Sequence, residues 1–158
     1  MSQHLAASQL MADQCLCFRA RRVSRALTRR YDEALRPLGI QATQLTLLNA
    51  IALSGRAGGT MGAVADFLAM DPTTLSRNVR PLEQAGWVRV TRQAADGRVR
   101  MAVLTAAGGR MIEEALPLWK QAHRGILAAL GAEGATDLRE RFDATAAAVS
   151  ETVPVGTP

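Results

Sequence analysis

Apolar side chains recur along this chain first with a helical period, briefly with a strand period, and then helically again. From about Ala12 to Leu38, the residues Leu16, Val23, Leu27, Tyr31, Leu35 and Leu38 follow at steps of seven, four, four, four and three. That is the stripe of one long amphipathic helix, with arginines on its other face. Residues 1–11 lack the pattern and are predicted to fray. Pro37 and Gly39 end the helix. Thr43 then predicts the cap of a second helix through Leu45, Leu48, Ile51 and Ala52, stopping at Gly55. The stretch SGRAGGT (54–60) reads as a loop, and a short helix near Gly62 to Ala69 puts Val64, Phe67 and Leu68 on one side.

The next segment, DPTTLSRNVRPLEQAGW (71–87), is the most informative. Asp71 suits an N-cap and Pro72 the first helical position. Leu75, Val79 and Leu82 fall at i, i+4 and i+7, within about 60° of one another, and anchor the helix to a core. Thr73, Arg77, Arg80 and Gln84 lie opposite, with Thr74 and Ser76 beside them. Pro81 removes one backbone bond, to the Arg77 carbonyl, and is expected to tilt the last turn. Behind this helix, VRVTRQ (88–93) and VRMAVL (99–104) flank AADGR, which predicts a two-stranded hairpin with an Asp-Gly tip. Val88 and Val90 share one face of it; Val99, Met101 and Val103 share another. Thr105 should cap a long helix striped by Ile112, Leu116, Trp119, Ile126, Leu127 and Leu130, bent at Pro117 and ended by Gly131. A last helix is predicted from Thr136 through Leu138, Phe142 and Val149, followed by a loose tail.

Charge sharpens this picture. Of 19 cationic residues only Lys120 is lysine; the other 18 are arginine, and the formal net charge is +5. Residues 71–100 carry six arginines against Asp71, Glu83 and Asp96, and residues 15–36 carry seven against Asp32 and Glu33. Residues 131–158 reverse the sign, with two arginines against five acids. Segregation of this kind suits a polyanion on one side and solvent or self-association on the other. An outward row of Thr, Arg and Gln is what a major groove accepts, because Arg grips guanine O6 and N7 while Thr or Ser reaches phosphates and base edges. With the short helix before it, 71–87 completes a helix-turn-helix. Arg98 at the hairpin tip, with Arg92 and Arg100 on the strands, suits the neighbouring minor groove or backbone. Helical arms as long and apolar as those at both ends need a partner surface, which a twofold-related copy supplies.

DPTTLSRNVRPLEQAGWV followed by DGRVRMAVLT resembles the multiple antibiotic resistance regulator (MarR) family of winged-helix transcription factors. That family's wing pattern of Asp-x-Arg, five residues, then Leu-Thr falls on Asp96, Arg98, Leu104 and Thr105, and LTAAGGRMIEEALPLW resembles its entry into a long dimerisation helix. The resemblance spans roughly residues 12–150. It implies a mainly α fold with a small β-hairpin wing (α+β), a winged helix-turn-helix core flanked by long N- and C-terminal dimerisation helices. The expected organisation is 1–38 for a tail and dimerisation helix, 39–105 for the DNA-binding domain, and 106–158 for C-terminal dimerisation helices and a loose tail. It further implies a homodimer on palindromic double-stranded promoter DNA, repressing its own or a neighbouring operon until a small, often anionic aromatic effector or an oxidant releases it. Thr73, Thr74, Ser76, Arg77, Arg80, Gln84, Asp96 and Arg98 are the expected DNA contacts, Asp96 orienting the hairpin. Leu16, Val23, Leu116, Ile126, Leu130, Leu138 and Phe142 are the expected dimer contacts.

An effector site between such lobes would draw on Cys15, Arg19, Arg22, Trp119 and His123, since an arginine beside a tryptophan suits an aromatic carboxylate. Alternatively Cys15 or Cys17, near Arg19, Arg21 and Arg22, acts as a redox-sensing thiol, although within one helix their side chains diverge by about 200° and cannot pair with each other. A third reading keeps the fold but uses the same surface as a protein-interaction scaffold without specific DNA binding. Catalysis has little to stand on: SGRAGGT lacks the Gly-Lys-Ser/Thr ending of a phosphate loop, no Ser or Cys sits by a His with an acidic partner, and the acids do not cluster as ligands. No cofactor and no metal are expected. The absence of a signal-peptide pattern or an apolar run of about 20 residues predicts a cytoplasmic protein with no membrane partner.

Overall fold

A computed structural model describes residues 3–54, 59–93 and 97–152. The chain forms two compact units, Met1–Trp119 and Lys120–Pro158. The first begins with two helices where one was predicted: α1 (Gln3–Gln14) and α2 (Leu16–Leu35). Cys15 separates them in an extended conformation (φ −72°, ψ 112°), and its Sγ accepts a hydrogen bond from the Phe18 amide at 3.4 Å. The residues expected to fray are therefore largely helical, and the break falls at Cys15, just before the first residue of the stripe. Leu16 is 74% exposed and does not belong to the buried face.

A 3₁₀ turn at Arg36–Leu38 holds Pro37, and Gly39 in the left-handed region (φ 66°) donates to the Arg36 carbonyl. α3 (Ala42–Leu53) starts earlier than Thr43 suggests, because Gln41 and Gln44 bond each other's backbone amides as a capping box. Asp32 Oδ1 also accepts from the Ala42 amide at 2.7 Å, tying α2 to the start of α3. Leu45, Leu47, Leu48, Ala50 and Ile51 are buried; Ala52, expected among them, is exposed.

Positions 59–60, read as the end of a loop, form strand β1 (Gly59–Thr60), while 55–58 lie outside the described residues. β2 (Val88–Arg92) and β3 (Arg100–Leu104) are the predicted hairpin strands. The sheet nevertheless has three antiparallel strands in the order β1-β3-β2, with Thr60 opposite Met101 and Val88 opposite Leu104. Its packed face is Val88, Val90, Ala102 and Leu104, Ala102 being fully buried. Thr60 then caps α4 (Met61–Phe67), its Oγ1 accepting from the Ala63 amide at 3.0 Å. α4 buries Met61, Val64 and Ala65, but Phe67, expected inward, is 68% exposed.

α5 (Pro72–Gln84) follows, and α6 (Ala106–Leu130) runs through Pro117 as a single helix. The side of α6 packed on the core carries Met111, Ile112, Ala115, Leu118 and Trp119, so Leu116 of the expected stripe is exposed. Ile112 and Trp119 of the expected stripe do pack there, and between them the buried position is Ala115, not Leu116. Fully buried Leu35, Leu48, Leu75 and Leu82 anchor the core, each worth about 1.5–3 kcal/mol. In the second unit, Gly131 (φ 76°) turns the chain into α7 (Ala132–Thr152). α7 starts four residues before Thr136, whose hydroxyl bonds back to the Ala132 carbonyl at 3.2 Å instead of capping. Among the described residues no helix is long and apolar enough to cross a membrane.

Candidate nucleic-acid interface

α5 is built as the sequence demands. Asp71 Oδ1 accepts from the amides of Thr73 (3.0 Å) and Thr74 (2.9 Å), closing the open end of the helix. Hydrogen bonds from Thr74, then from Thr73, hold the Asp71 carboxyl below the usual aspartate range. Leu75, Val79 and Leu82 are sealed in the core. Thr73, Thr74, Arg77, Arg80 and Gln84 are exposed and Ser76 is half-buried, so the expected contact residues form one outward face. Asn78 is exposed as well; the sequence reading passed over it, although an exposed asparagine on such a helix can pair with adenine.

The C-terminal end of α5 is fastened to the sheet. Glu83 Oε1 accepts from the Val90 amide at 3.1 Å, filling the open edge of β2, and the Trp87 amide bonds the Leu82 carbonyl at 3.0 Å. Thr105, expected as a cap and as the end of the wing motif, does more. Its Oγ1 accepts from the Gly108 amide at 3.1 Å and lies 2.7 Å from the Gly86 carbonyl, to which it donates. Its amide bonds the Trp87 carbonyl at 3.0 Å. The turn after α5 and the start of α6 are one hydrogen-bonded unit.

The hairpin register supplies a feature that composition did not. Arg92 lies directly opposite Arg100, both exposed, on the same side of the ladder as Val88 and Val90 but past the edge of the core. Directly opposed like charges destabilise a sheet unless an anion lies between or beside them. Arg98 is exposed in the turn beyond, whereas Asp96 lies outside the described residues. No carboxylate pairs with Arg77, Arg80, Arg92 or Arg100 among the described residues.

The expected effector residues fall at several places. Arg19 and Arg22 line a shallow groove along α2 with Val23, Arg25, Ala26 and Arg29. Trp119 stacks on Tyr31, centroids 6.1 Å apart and planes 7° from parallel, beside a pocket of about 120 Å³ lined also by Leu35, Ala42, Leu45, Thr46 and Asn49. Pocket and groove share no lining residue. Burial raises the Tyr31 phenol above its usual pKa. Cys15 and Cys17 are exposed thiols on either side of the start of α2, and His123 belongs to the second unit. Among the expected dimer residues, Leu16, Leu116, Leu130 and Phe142 are exposed and Val23, Ile126 and Leu138 half-buried. Among the described residues no group of three His, Cys, Asp or Glu side chains is placed to hold a metal ion.

Residues 38–99 match the model of the MarR family. The chain is 34% identical to MosR, a transcriptional regulator of M. tuberculosis crystallised with DNA, covering 85% of this chain and 98% of that one with a TM-score of 0.72. A cysteine-to-serine mutant of MarR from E. coli, complexed with operator DNA, is 25% identical over 86% of this chain and 97% of its own, with a TM-score of 0.76. YwoH of Bacillus subtilis, an HTH-type transcriptional regulator, is 29% identical over 91 residues, 58% of this chain and 64% of YwoH. The match of residues 38–99 to the MarR family model and the likeness to MosR over 85% of this chain lead to one conclusion: the chain belongs to the MarR family of winged-helix transcriptional regulators.

Proposed function

We propose that this protein is a homodimeric, sequence-specific DNA-binding regulator that represses its own or a neighbouring operon. The observation that carries this is the two-sidedness of α5: Leu75, Val79 and Leu82 are buried while Thr73, Thr74, Arg77, Arg80 and Gln84 face outward. In this reading α5 enters the major groove, Arg98 follows the minor groove, and Asp96 orients the wing. The opposed Arg92 and Arg100 find their counter-charge in phosphate. That MosR and MarR were crystallised with DNA supports the assignment. Exposed Leu16, Leu116, Leu130 and Phe142 are apolar surface that a second copy would cover, placing two α5 helices in successive major grooves of a palindrome. The seat is the cytoplasm, where promoter DNA is met.

Release from DNA by a small anionic aromatic effector is part of the same reading. At about 120 Å³ the pocket beside Trp119 is below the usual ligand range of about 300–1,000 Å³, so effector binding has to widen it or recruit further surface such as Arg19, Arg22 or His123. Thiol control is a second reading, favoured by the exposure of Cys15 and its place as the cap of α2.

The test is selection from sheared genomic DNA at about 0.15 M salt, where non-specific contacts are already screened. A palindromic sequence should be enriched. Arg77→Ala should cost about 1–3 kcal/mol and relax preference at one base pair, and Arg98→Ala should weaken binding evenly and lower the salt slope by about one unit. Recovery of no enriched sequence would leave the protein-scaffold reading in its place.

A further inference from the structure

α2 presents Arg19, Arg22, Arg25 and Arg29 to one shallow groove, with only Val23 and Ala26 between them. All four are exposed, and among the described residues none is held in an ion pair; Arg19 donates to the Asp13 carbonyl. Guanidinium groups at successive steps of three or four along a helix repel one another, so the ridge is stabilised by whatever anion lies against it. The chain carries one surface of matching sign and spacing. Glu133, Asp137 and Glu140 on α7 line a groove with Ala132 and Thr136, and Asp143 extends the row.

The two ridges share a pattern. Read forward, the arginines step by 3, 3 and 4 residues; read backward, Asp143, Glu140, Asp137 and Glu133 step by 3, 3 and 4 as well. At about 1.5 Å per residue, Arg22 to Arg29 and Glu140 to Glu133 each span roughly 10.5 Å. Antiparallel helices therefore set Arg19 against Asp143, Arg22 against Glu140, Arg25 against Asp137 and Arg29 against Glu133. A parallel arrangement with Arg19 against Glu133 and Arg29 against Asp143 puts Asp137 opposite Val23 and Glu140 opposite Ala26, losing two of the four pairs. Of the four acids only Asp137 is engaged among the described residues, by Arg141 at 2.8 Å within α7, an exposed pair that exchanges readily.

We propose that α2 of one copy docks antiparallel on α7 of a second copy through these four charge pairs, so that the arginine ridge is an intersubunit surface that fixes the register of the dimer. The proposal rests on the homodimer assigned above and adds which charges select the partner. It also explains the charge segregation of the sequence, since a basic N-terminal region and an acidic C-terminal region complement each other twice across a twofold axis.

The experiment uses two full-length variants: Arg22→Glu/Arg25→Glu/Arg29→Glu and Glu133→Arg/Asp137→Arg/Glu140→Arg. Dimer dissociation is measured by sedimentation at low and high salt, and circular dichroism confirms helix content. Each variant alone should dissociate at least about tenfold more readily than wild type, because three of the four pairs on each side of the axis become repulsive. Mixed one to one, they should form a heterodimer of near wild-type affinity, since one side pairs reversed with reversed and the other native with native. Arg22→Gln/Arg25→Gln/Arg29→Gln should weaken the dimer less and abolish its salt sensitivity, which keeps the test open if the reversed chains fold poorly. Variants that dimerise like wild type, or a mixture that does not recover, would overturn the ridge pairing and leave the dimer standing. A wild-type chain that is monomeric at every concentration would remove the dimer itself.

Discussion

Gly108 and Gly109 are adjacent in the first turns of α6, and helix propensity treats them alike. Either glycine replaced by alanine should stabilise the helix by about 0.8–1.0 kcal/mol. The packing separates them. A Cβ on Gly109 meets nothing within 4 Å, so Gly109→Ala should raise the melting temperature by roughly 2–4 °C. A Cβ on Gly108 would collide with the Trp87 carbonyl oxygen, lie 3.0 Å from its carbon, and sit 2.8 Å from Leu104 Cδ1. Leucine can rotate, but the Trp87 backbone cannot yield without carrying the turn behind α5. That displacement would loosen the Thr105 hydroxyl from Gly86 and the Thr105 amide from Trp87. Overpacking of about 1–3 kcal/mol, plus about 1 kcal/mol for each strained hydrogen bond, outweighs the propensity gain. Gly108→Ala should therefore destabilise by about 2–4 kcal/mol net, lowering the melting temperature by roughly 5–15 °C. Thermal unfolding followed by circular dichroism decides it. If both substitutions shift the transition upward, the close seating of α6 on the Gly86–Trp87 turn is wrong.

Three more expectations follow from single groups. The folded Asp71 carboxyl titrates below its unfolded value, so its contribution is present above that value and is lost as pH falls through the lower, folded one. NMR titration of the Thr73 and Thr74 amides should show a midpoint below 3.8, and a midpoint above it would contradict the cap. Tyr31 is the only tyrosine, so phenolate absorbance reports it alone; its ionisation should lie above 10.0 in wild type and move back toward that value in Trp119→Ala, which removes the stacked ring. Peroxide should abolish DNA binding by wild type and spare Cys15→Ser, in which the serine oxygen keeps a cap on α2; equal sensitivity of both would remove the thiol reading.

What could be read in the sequence was whatever a short window contains. Asp71-Pro72 and the 75, 79, 82 spacing determine where α5 starts and which way it faces, because a cap and a stripe are local. The hairpin strands were legible for the same reason. β1 was not, since two residues carry no period and Gly59–Thr60 are extended only because the free edge of β3 pairs with them. The helix break at Cys15 was hidden by good helix formers on both sides. Gln41 was passed over for Thr43 because a capping box needs two side chains reaching back together. At the candidate site, the outward residues were legible but not what holds them: Glu83 reaches a strand seven residues away, and Thr105 a turn 18 and 19 residues back. The facing of Arg92 by Arg100 depends on a register that composition does not contain.

Those missed contacts decide how α5 is held. α5 is held at its base by Leu75, Val79 and Leu82, at its far end by Glu83 on β2, and behind by Thr105 on the Gly86–Trp87 turn. Pro81 has no amide to give the Arg77 carbonyl, so these tertiary bonds supplement a last turn that lacks one rung of its own ladder. The end of α5 and the start of α6 consequently move as one body. Any event that shifts the first turn of α6 is transmitted through two hydrogen bonds to the helix carrying Arg77 and Arg80, and through Glu83 to the strand leading to the wing. In the proposed reading, with α5 in the major groove, a displacement of the first turn of α6 would misalign α5 and the hairpin together.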